Sequence, residues 1–291
     1  SSGKGVVRGK AVIIPGLYKL FDEAIVNARD HYTRQHMMLG DNPDAVQVRT
    51  IDVDIESDGT VRVKNDGPGI PVEKHPLYGI WIPELIFANM RTSSNYDKNQ
   101  KKRTGGKNGL GGKLIFIWSS KGKIVTVDST RQKKYEQEFS DNLGKIHAPR
   151  ITSCKQKSYT LIEFKPDFER LGVENFSQQM LSILHRRVYD IAAITGKSVK
   201  VRLNGELIQT RTFDSYISLY IGDKAATKRV HEIANSDWEY VVSLSNSDKL
   251  EHVSFVNGLY TAKGGKHVDY IMNQIVKKLC ELLLKKKKVR V

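Results

Sequence analysis

Four short polar motifs occur in one order between residues 21 and 113, and they constrain the fold more than any other feature of the chain. They read FDEAIVN (21–27), NDGPGIP (65–71), TSSN (92–95) and TGGKNGLGGK (104–113). Each alone is a weak signal, because a helix edge, a turn or a linker can produce it. Together they predict a fold that gathers a carboxylate, two amides and a glycine-rich loop into one site.

The first motif lies on a predicted helix over residues 16–31, where apolar residues recur at helical spacing. Glu23 and Asn27 are four residues apart, so they project from one face of this helix. We expect Glu23 to take a proton from water as a general base and Asn27 to hold Mg²⁺ through its amide oxygen. Considered alone, the motif fits the polar edge of an amphipathic helix better.

The second motif follows a predicted hairpin, with strands over 48–55 and 60–64 and a turn at Asp58 and Gly59. Its glycines permit a tight turn and the close approach of a flat ring. The side-chain oxygen of Asn65 would accept from an exocyclic amine and so select adenine. An ordinary turn explains the same residues equally well.

The last two motifs lie in a polar, glycine-rich stretch over 91–113 that has no packing pattern. Successive backbone N–H groups with a helix N-terminus behind them cradle phosphates, and Lys107 and Lys113 add positive charge. The spacing fits neither a Walker A loop nor a dinucleotide fingerprint. The hydroxyls and amide of residues 92–95 would bond a ribose or a phosphate. A flexible linker is the alternative, but the four motifs together point to ATP.

The rest of the chain predicts an α+β protein in two units, 1–209 and 210–291. The first unit continues with strands over 124–128, 134–139 and 159–164, a helix over 177–194 and a strand pair over 199–208. The second has strands over 238–243 and 252–256 and a helix over 268–284. No apolar run is long enough to span a membrane. Two cysteines without metal spacing predict reduced, buried thiols, and the net charge of +15 favours a nucleic-acid partner.

These motifs resemble the ATPase region of eukaryotic-type DNA topoisomerase II. That family lies within the GHKL superfamily of gyrase, heat-shock chaperone, histidine kinase and mismatch-repair ATPases. The resemblance runs from about residue 15 to 288. Its most specific stretches are PGLYKLFDE (15–23), LIFA (85–88), TSSNYD (92–97), TGGKNG (104–109), RVYDI (187–191), FVN (255–257) and KGGKHVDY (263–270).

The resemblance implies a GHKL (Bergerat) α/β sandwich, a mixed sheet covered by helices, followed by a truncated transducer domain. It implies that Glu23 activates water, that Asn27 binds Mg²⁺ and that Asn65 reads adenine. It implies that ribose and phosphate contact Ser93, Ser94 and Asn95. The residues implied to wrap the triphosphate are Gly106, Lys107, Asn108, Gly109, Leu110, Gly111, Gly112 and Lys113.

The resemblance also implies partners: ATP, double-stranded DNA and a second copy of the chain, without a membrane. DNA would contact Lys285, Lys286 and Lys287, although a solvated helix end explains this run too. The protein would be nuclear, or lie wherever its DNA lies if it is viral or organellar. We expect the strap before residue 15, the transducer loop with its phosphate-contacting lysine and the DNA-cleavage residues to be missing. The alternatives are a chaperone-type or mismatch-repair-type ATPase, and a basic DNA-binding module with a decayed nucleotide site.

Overall fold

The computed structural model describes residues 6, 9–89, 111–245, 247 and 249–287. The helices within these ranges are α1 (Pro15–Met38), α2 (Ile82–Phe87), α3 (Gly111–Ile117), α4 (Gln178–Thr195), α5 (Phe213–Ile221) and α6 (Lys266–Lys287). The strands are β1 (Thr50–Ile55), β2 (Val61–Asn65), β3 (Ser119–Asp128), β4 (Lys133–Ser140), β5 (Lys145–Ile146), β6 (Arg150–Ser153), β7 (Tyr159–Pro166), β8 (Lys200–Leu203), β9 (Glu206–Leu207), β10 (Arg229–Asn235), β11 (Trp238–Ser243), β12 (Phe255–Val256) and β13 (Leu259–Tyr260).

One mixed sheet organises the first two thirds of the described chain. Its strand order is β5-β4-β3-β7-β2-β1-β8-β9, with β6 also paired to β4. All pairings are antiparallel except that of β1 with β8, which is parallel. The parallel pair needs a long crossover, which here contains most of the sheet and α4.

The inner face of the sheet is apolar because alternate residues of its strands are buried. Val53, Val63, Ile162 and Ile124 lie side by side in register across β1, β2, β7 and β3. Helices α1, α3 and α4 pack on this face, and α1 contacts both of the others. The expected mixed sheet covered by helices is therefore confirmed.

The outer face carries a row of alternating charges across five strands. Asp54, Arg62, Glu163, Lys123 and Glu138 are consecutive register partners from β1 to β4. Opposite charges in facing positions contribute about 0.2–1 kcal/mol per pair and oppose a slip of register. This row therefore reinforces the alignment set by the buried face.

The remaining elements follow the large sheet. Helix α5 starts at a capping box in which Thr212 and Ser215 bond one another; neither α5 nor β10 was expected. The strand expected over 252–256 is shorter and forms only the β12–β13 hairpin around Asn257 and Gly258. Helix α6 has the expected apolar stripe, but it stays largely open, with Leu279 and Leu283 more than half exposed.

Two smaller expectations were wrong. The glycine-rich stretch does not extend to Lys113 as a loop, because Gly111–Lys113 forms the first turn of α3. The thiols are free as expected but not buried, since Cys154 is partly exposed and Cys280 exposed. No helix within the described ranges combines the length and apolarity that a membrane crossing requires.

Candidate nucleotide site

Helix α1 presents a polar row at four-residue spacing. Its opposite side is buried in the core at Phe21, Ala24 and Ile25, which fixes the helix against the sheet. Lys19, Glu23, Asn27 and His31 therefore share the other side, and Glu23 and Asn27 are partly buried there. Eight residues of helix separate Glu23 from His31, or about 12 Å along the axis.

The N-terminal turn of α3 packs on the first half of this row. A Cβ on Gly111 would lie 2.6 Å from Cδ of Glu23, so any larger residue would displace the carboxylate. A Cβ on Gly112 would lie 3.9 Å from Nδ2 of Asn27. The structure therefore brings together two predicted motifs, the α1 pair and the end of the glycine-rich stretch.

Lys19 holds the candidate base in place. Its Nζ lies 2.5 Å from Oε1 of Glu23, one helical turn away, and the Glu23 side chain is only 18% exposed. A charge-assisted contact of this kind fixes the direction of the carboxylate. Lys19 thereby orients the carboxyl group of Glu23, the candidate general base.

A polar row lies at one end of the buried sheet face. Asn65, Thr160 and Thr126 are consecutive register partners across β2, β7 and β3, and all three are buried. Oγ1 of Thr126 lies 3.2 Å from that of Thr160 and accepts from the backbone N–H of Ile70 at 2.9 Å. The two threonines, which the sequence did not single out, extend the candidate purine site beyond Asn65.

His31 joins α1 to this polar row. Its Nδ1 lies 2.9 Å from Oδ1 of Asn65, so the ring donates and the amide oxygen accepts. Burial lowers the pKa of His31, an effect that its bond to Asn65 opposes. The sequence motifs did not single out this histidine. Its spacing from Glu23 and Asn27 was the signal that would have placed it here.

The turn after Asn65 is held close to the sheet. A Cβ on Gly69 would lie 2.6 Å from the backbone carbonyl carbon of Val127, and one on Gly67 would lie 2.9 Å from Cε1 of His31. Asp66 accepts from the backbone N–H groups of Arg49 and Thr50, at 2.7 and 2.8 Å. Asp66 therefore supports the turn, and the glycines provide the close approach that the motif predicted.

Lys113 is not an exposed lysine in a loop, as its place in the glycine-rich stretch suggested. It is 1% exposed within the first turn of α3, and this burial lowers its pKa. The predicted positions Ser93, Ser94, Asn95, Gly106, Lys107, Asn108, Gly109 and Leu110 lie outside the described residues. Lys285 and Lys286 are exposed near the end of α6, and Lys287 is its last residue.

The described residues contain no cluster of three or more His, Cys, Asp or Glu side chains that would hold a metal ion. Mg²⁺ in nucleotide sites commonly keeps several waters and takes most of its other ligands from substrate phosphates, so it needs few protein ligands. A single amide oxygen such as that of Asn27, beside Gly112, fits this mode of binding.

The fold is that of a nucleotide-binding ATPase domain. A family model described as "Histidine kinase-, DNA gyrase B-, and HSP90-like ATPase" matches residues 13–169, more than half of the chain. A second, described as "DNA gyrase B", matches residues 212–291. The general class expected from the motifs is confirmed.

Individual relatives identify one family within this class of ATPases. The chain is 43% identical to a DNA topoisomerase 2 of Arabidopsis thaliana over 290 residues, which are 97% of this chain and 19% of that protein. The crystal structure of the ATPase region of Saccharomyces cerevisiae topoisomerase II matches with a TM-score of 0.88 and 40% identity, over 98% of this chain and 72% of that one. The ATPase and transducer domains of DNA topoisomerase II from Balamuthia mandrillaris match with a TM-score of 0.87 and 35% identity, over 98% of this chain and 70% of that one.

The chain belongs to the DNA topoisomerase II ATPase-region family. It spans about a fifth of the length of the curated relatives it matches, as the share for the Arabidopsis protein shows.

Proposed function

We propose that this protein binds and hydrolyses ATP in the cleft between α1, α3 and the turn after β2. The observation that carries the proposal is the row on α1, which meets the glycine turn at Glu23 and the buried amide at His31. The separation of these two ends, about 12 Å of helix, suits the distance from the terminal phosphate to the base of a nucleoside triphosphate.

The base-recognition end favours adenine. His31 occupies one lone pair of the Asn65 amide oxygen, and this contact fixes which way the amide points. The second lone pair can then accept from an exocyclic amine. A guanine would place a carbonyl oxygen opposite this acceptor, and two acceptors without a shared proton repel each other.

The phosphate end supplies positioning and a base. Glu23 orients the attacking water and accepts its proton, while Lys19 and Gly111 hold the carboxylate from two sides. The start of α3 lies beside Glu23 and Asn27, and its backbone N–H groups carry the partial positive charge of a helix N-terminus. Asn27 would hold Mg²⁺, which when bound neutralises phosphate charge.

We propose that the ATP site drives a homodimeric clamp that closes on double-stranded DNA, as part of a nuclear type II topoisomerase. Membership of the topoisomerase II family supports this assignment. The net charge of +15 and the exposed Lys285 and Lys286 support a polyanionic partner. We also propose the division into units 1–209 and 210–291, because the large sheet ends at Leu207 and α5 begins at Phe213.

The test replaces Glu23 by Gln, which keeps the size of the side chain but removes the base. Calorimetry with a non-hydrolysable ATP analogue should give an affinity within a few fold of the unsubstituted protein. When the same substitution is made in the natural polypeptide that carries this sequence, its steady-state ATP hydrolysis should be abolished. Glu206→Gln, at an exposed position on β9, is the matched control and should hydrolyse normally. Normal turnover by Glu23→Gln would show that another group is the base.

A further inference from the structure

Arg187 on α4 is the largest of the fully buried side chains in the described part of the chain. Its Nε donates to Oδ1 of Asp22 at 2.6 Å, and its Nη2 donates to the backbone carbonyl of Gly258 at 2.6 Å. Asp22 is the neighbour of Glu23 on α1, whereas Gly258 lies in the turn of the β12–β13 hairpin. One guanidinium therefore joins the helix of the ATP site to the part of the chain that follows the large sheet.

The hairpin turn is fitted closely to this contact. Gly258 has a φ of 83°, and a Cβ there would lie 2.6 Å from Cδ of Arg29, another α1 residue. Arg186 lies over the ring of Tyr260 at 4.9 Å, so the hairpin is also held from its strand side. The turn consequently meets α1 and α4 with little room to shift.

A second buried acid extends the contact into α5. Asp190 lies 3.7 Å from Arg187 and accepts from the hydroxyl of Tyr216 at 2.7 Å. Buried charges of this kind cost desolvation energy, and apolar residues of similar volume often stabilise a fold at least as much as a buried ion pair does. What charged hydrogen bonds add is direction, because the planar guanidinium fixes its partners in angle as well as distance.

We propose that Arg187 is a positioning residue for ATP hydrolysis. Through Asp22 it sets the placement of α1 against Gly111, so the geometry of the Glu23 carboxylate depends on how the Gly258 turn is docked. The inference rests on the proposed ATPase function. A misplacement of 1 Å at a reacting group can lower the rate by about 100-fold, so a small shift of α1 suffices.

Two similar glycine turns allow a matched test. Gly258 and Gly205 each follow an asparagine, with φ values of 83° and 81°, so alanine adds comparable backbone strain at both. A Cβ on Gly258 would collide with Arg29, whereas one on Gly205 would meet nothing within 4 Å. Gly258→Ala should therefore lower kcat by about 10- to 100-fold, while Gly205→Ala should leave it unchanged.

The direct variant is Arg187→Lys, which keeps the charge but replaces the fork by one ammonium that cannot bond Asp22 and Gly258 in the same geometry. It should lower kcat at least tenfold while the Kd for an ATP analogue stays within about threefold. Both quantities are measured in the natural polypeptide, with kcat normalised to nucleotide-binding sites counted by titration. This normalisation removes any loss that comes from unfolded molecules.

The outcomes separate the two proposals. If the unsubstituted protein binds no ATP or does not hydrolyse it, the proposed function is wrong and the positioning role falls with it. If it does hydrolyse ATP, but Arg187→Lys and Gly258→Ala keep its kcat per site, the positioning role alone is wrong. A Kd that rises in step with the loss of kcat would mean that Arg187 only supports the fold. Arg187→Lys decides the result if Gly258→Ala does not fold.

Discussion

The replacement Gly111→Ala tests the contact that brings the glycine turn onto the candidate base. The added Cβ would lie 2.6 Å from Cδ of Glu23, whereas ordinary contacts of a Cβ begin near 3.4 Å. Oε2 of Glu23 lies closer still, so the carboxyl group must retreat by at least about 1 Å, or α3 must move away from α1. Either change separates the base from the water it activates.

The expected loss of activity is large, whereas the change in stability is small. A displacement of about 1 Å at a reacting group lowers kcat by about 100-fold. Alanine stabilises a helix interior by about 1 kcal/mol over glycine; the gain is smaller at Gly111, the first residue of α3, but it opposes part of the strain of the new contact. The thermal unfolding temperature should thus change little, and an unfolded protein would not account for the loss of hydrolysis.

A double-substitution cycle shows whether the effect passes through Glu23. The rate of ATP hydrolysis is measured for Gly111→Ala, for Glu23→Gln and for the two combined. Because Glu23→Gln already lacks the base, adding Gly111→Ala should cause little further loss. Gly40→Ala is the control outside the site, since its Cβ would meet only the backbone oxygen of Met37, at an ordinary 3.8 Å, and it should hydrolyse ATP normally.

Two results would refute this reasoning. A Gly111→Ala protein with normal turnover would show that the packing of Gly111 on Glu23 does not matter for the chemistry. If the fold-losses in hydrolysis rate of the two single variants multiply in the combined variant, Gly111 acts on hydrolysis by a route other than the base.

Three further predictions concern other parts of the protein. Asn27→Ala should weaken binding of an ATP analogue more with Mg²⁺ than without it, and equal losses in calorimetry would contradict a metal-ligand role. Replacing Lys285, Lys286 and Lys287 by Ala should reduce the salt dependence of DNA binding by up to about three units of log–log slope; an unchanged slope would mean that this run only solvates α6. Burial lowers the pKa of His31, so the stability that its neutral form contributes is present above its ordinary value of 6.5 and is lost as pH falls below it. His31→Gln should flatten the fall of the unfolding temperature as pH decreases below 6.5, and an unaltered profile would show that another group titrates.

The hydrophobic periodicity of the sequence predicted those helices and strands that bury one side in the core. The inner strands and α4 lie close to their expected positions because an apolar stripe marks each of them. Helix α1 runs seven residues beyond its predicted end at His31, to Met38, where mostly exposed residues carry no stripe. Strand β10 was missed for the same reason, since its residues are largely exposed.

The candidate site was predictable where its residues are close in sequence. Glu23 and Asn27 share a helix face by spacing alone, and the glycine-rich stretch is recognisable from its composition. The bond of His31 to Asn65 depends on how α1 lies on the sheet, which no local pattern encodes. The partners of Arg187 are 165 and 71 residues away from it, so only the tertiary structure reveals them.

The charged row on the outer face of the sheet also affects how a polyanion can approach. Asp54, Glu163 and Glu138 alternate with Arg62 and Lys123, three carboxylates against two cations, within a chain whose net charge is +15. Long-range attraction depends on the net charge that a surface presents, and a balanced row presents almost none. A DNA duplex diffusing near the protein therefore gains little by lying along this row. Attraction of a polyanion by the net charge of +15 must therefore come from lysines and arginines outside this row.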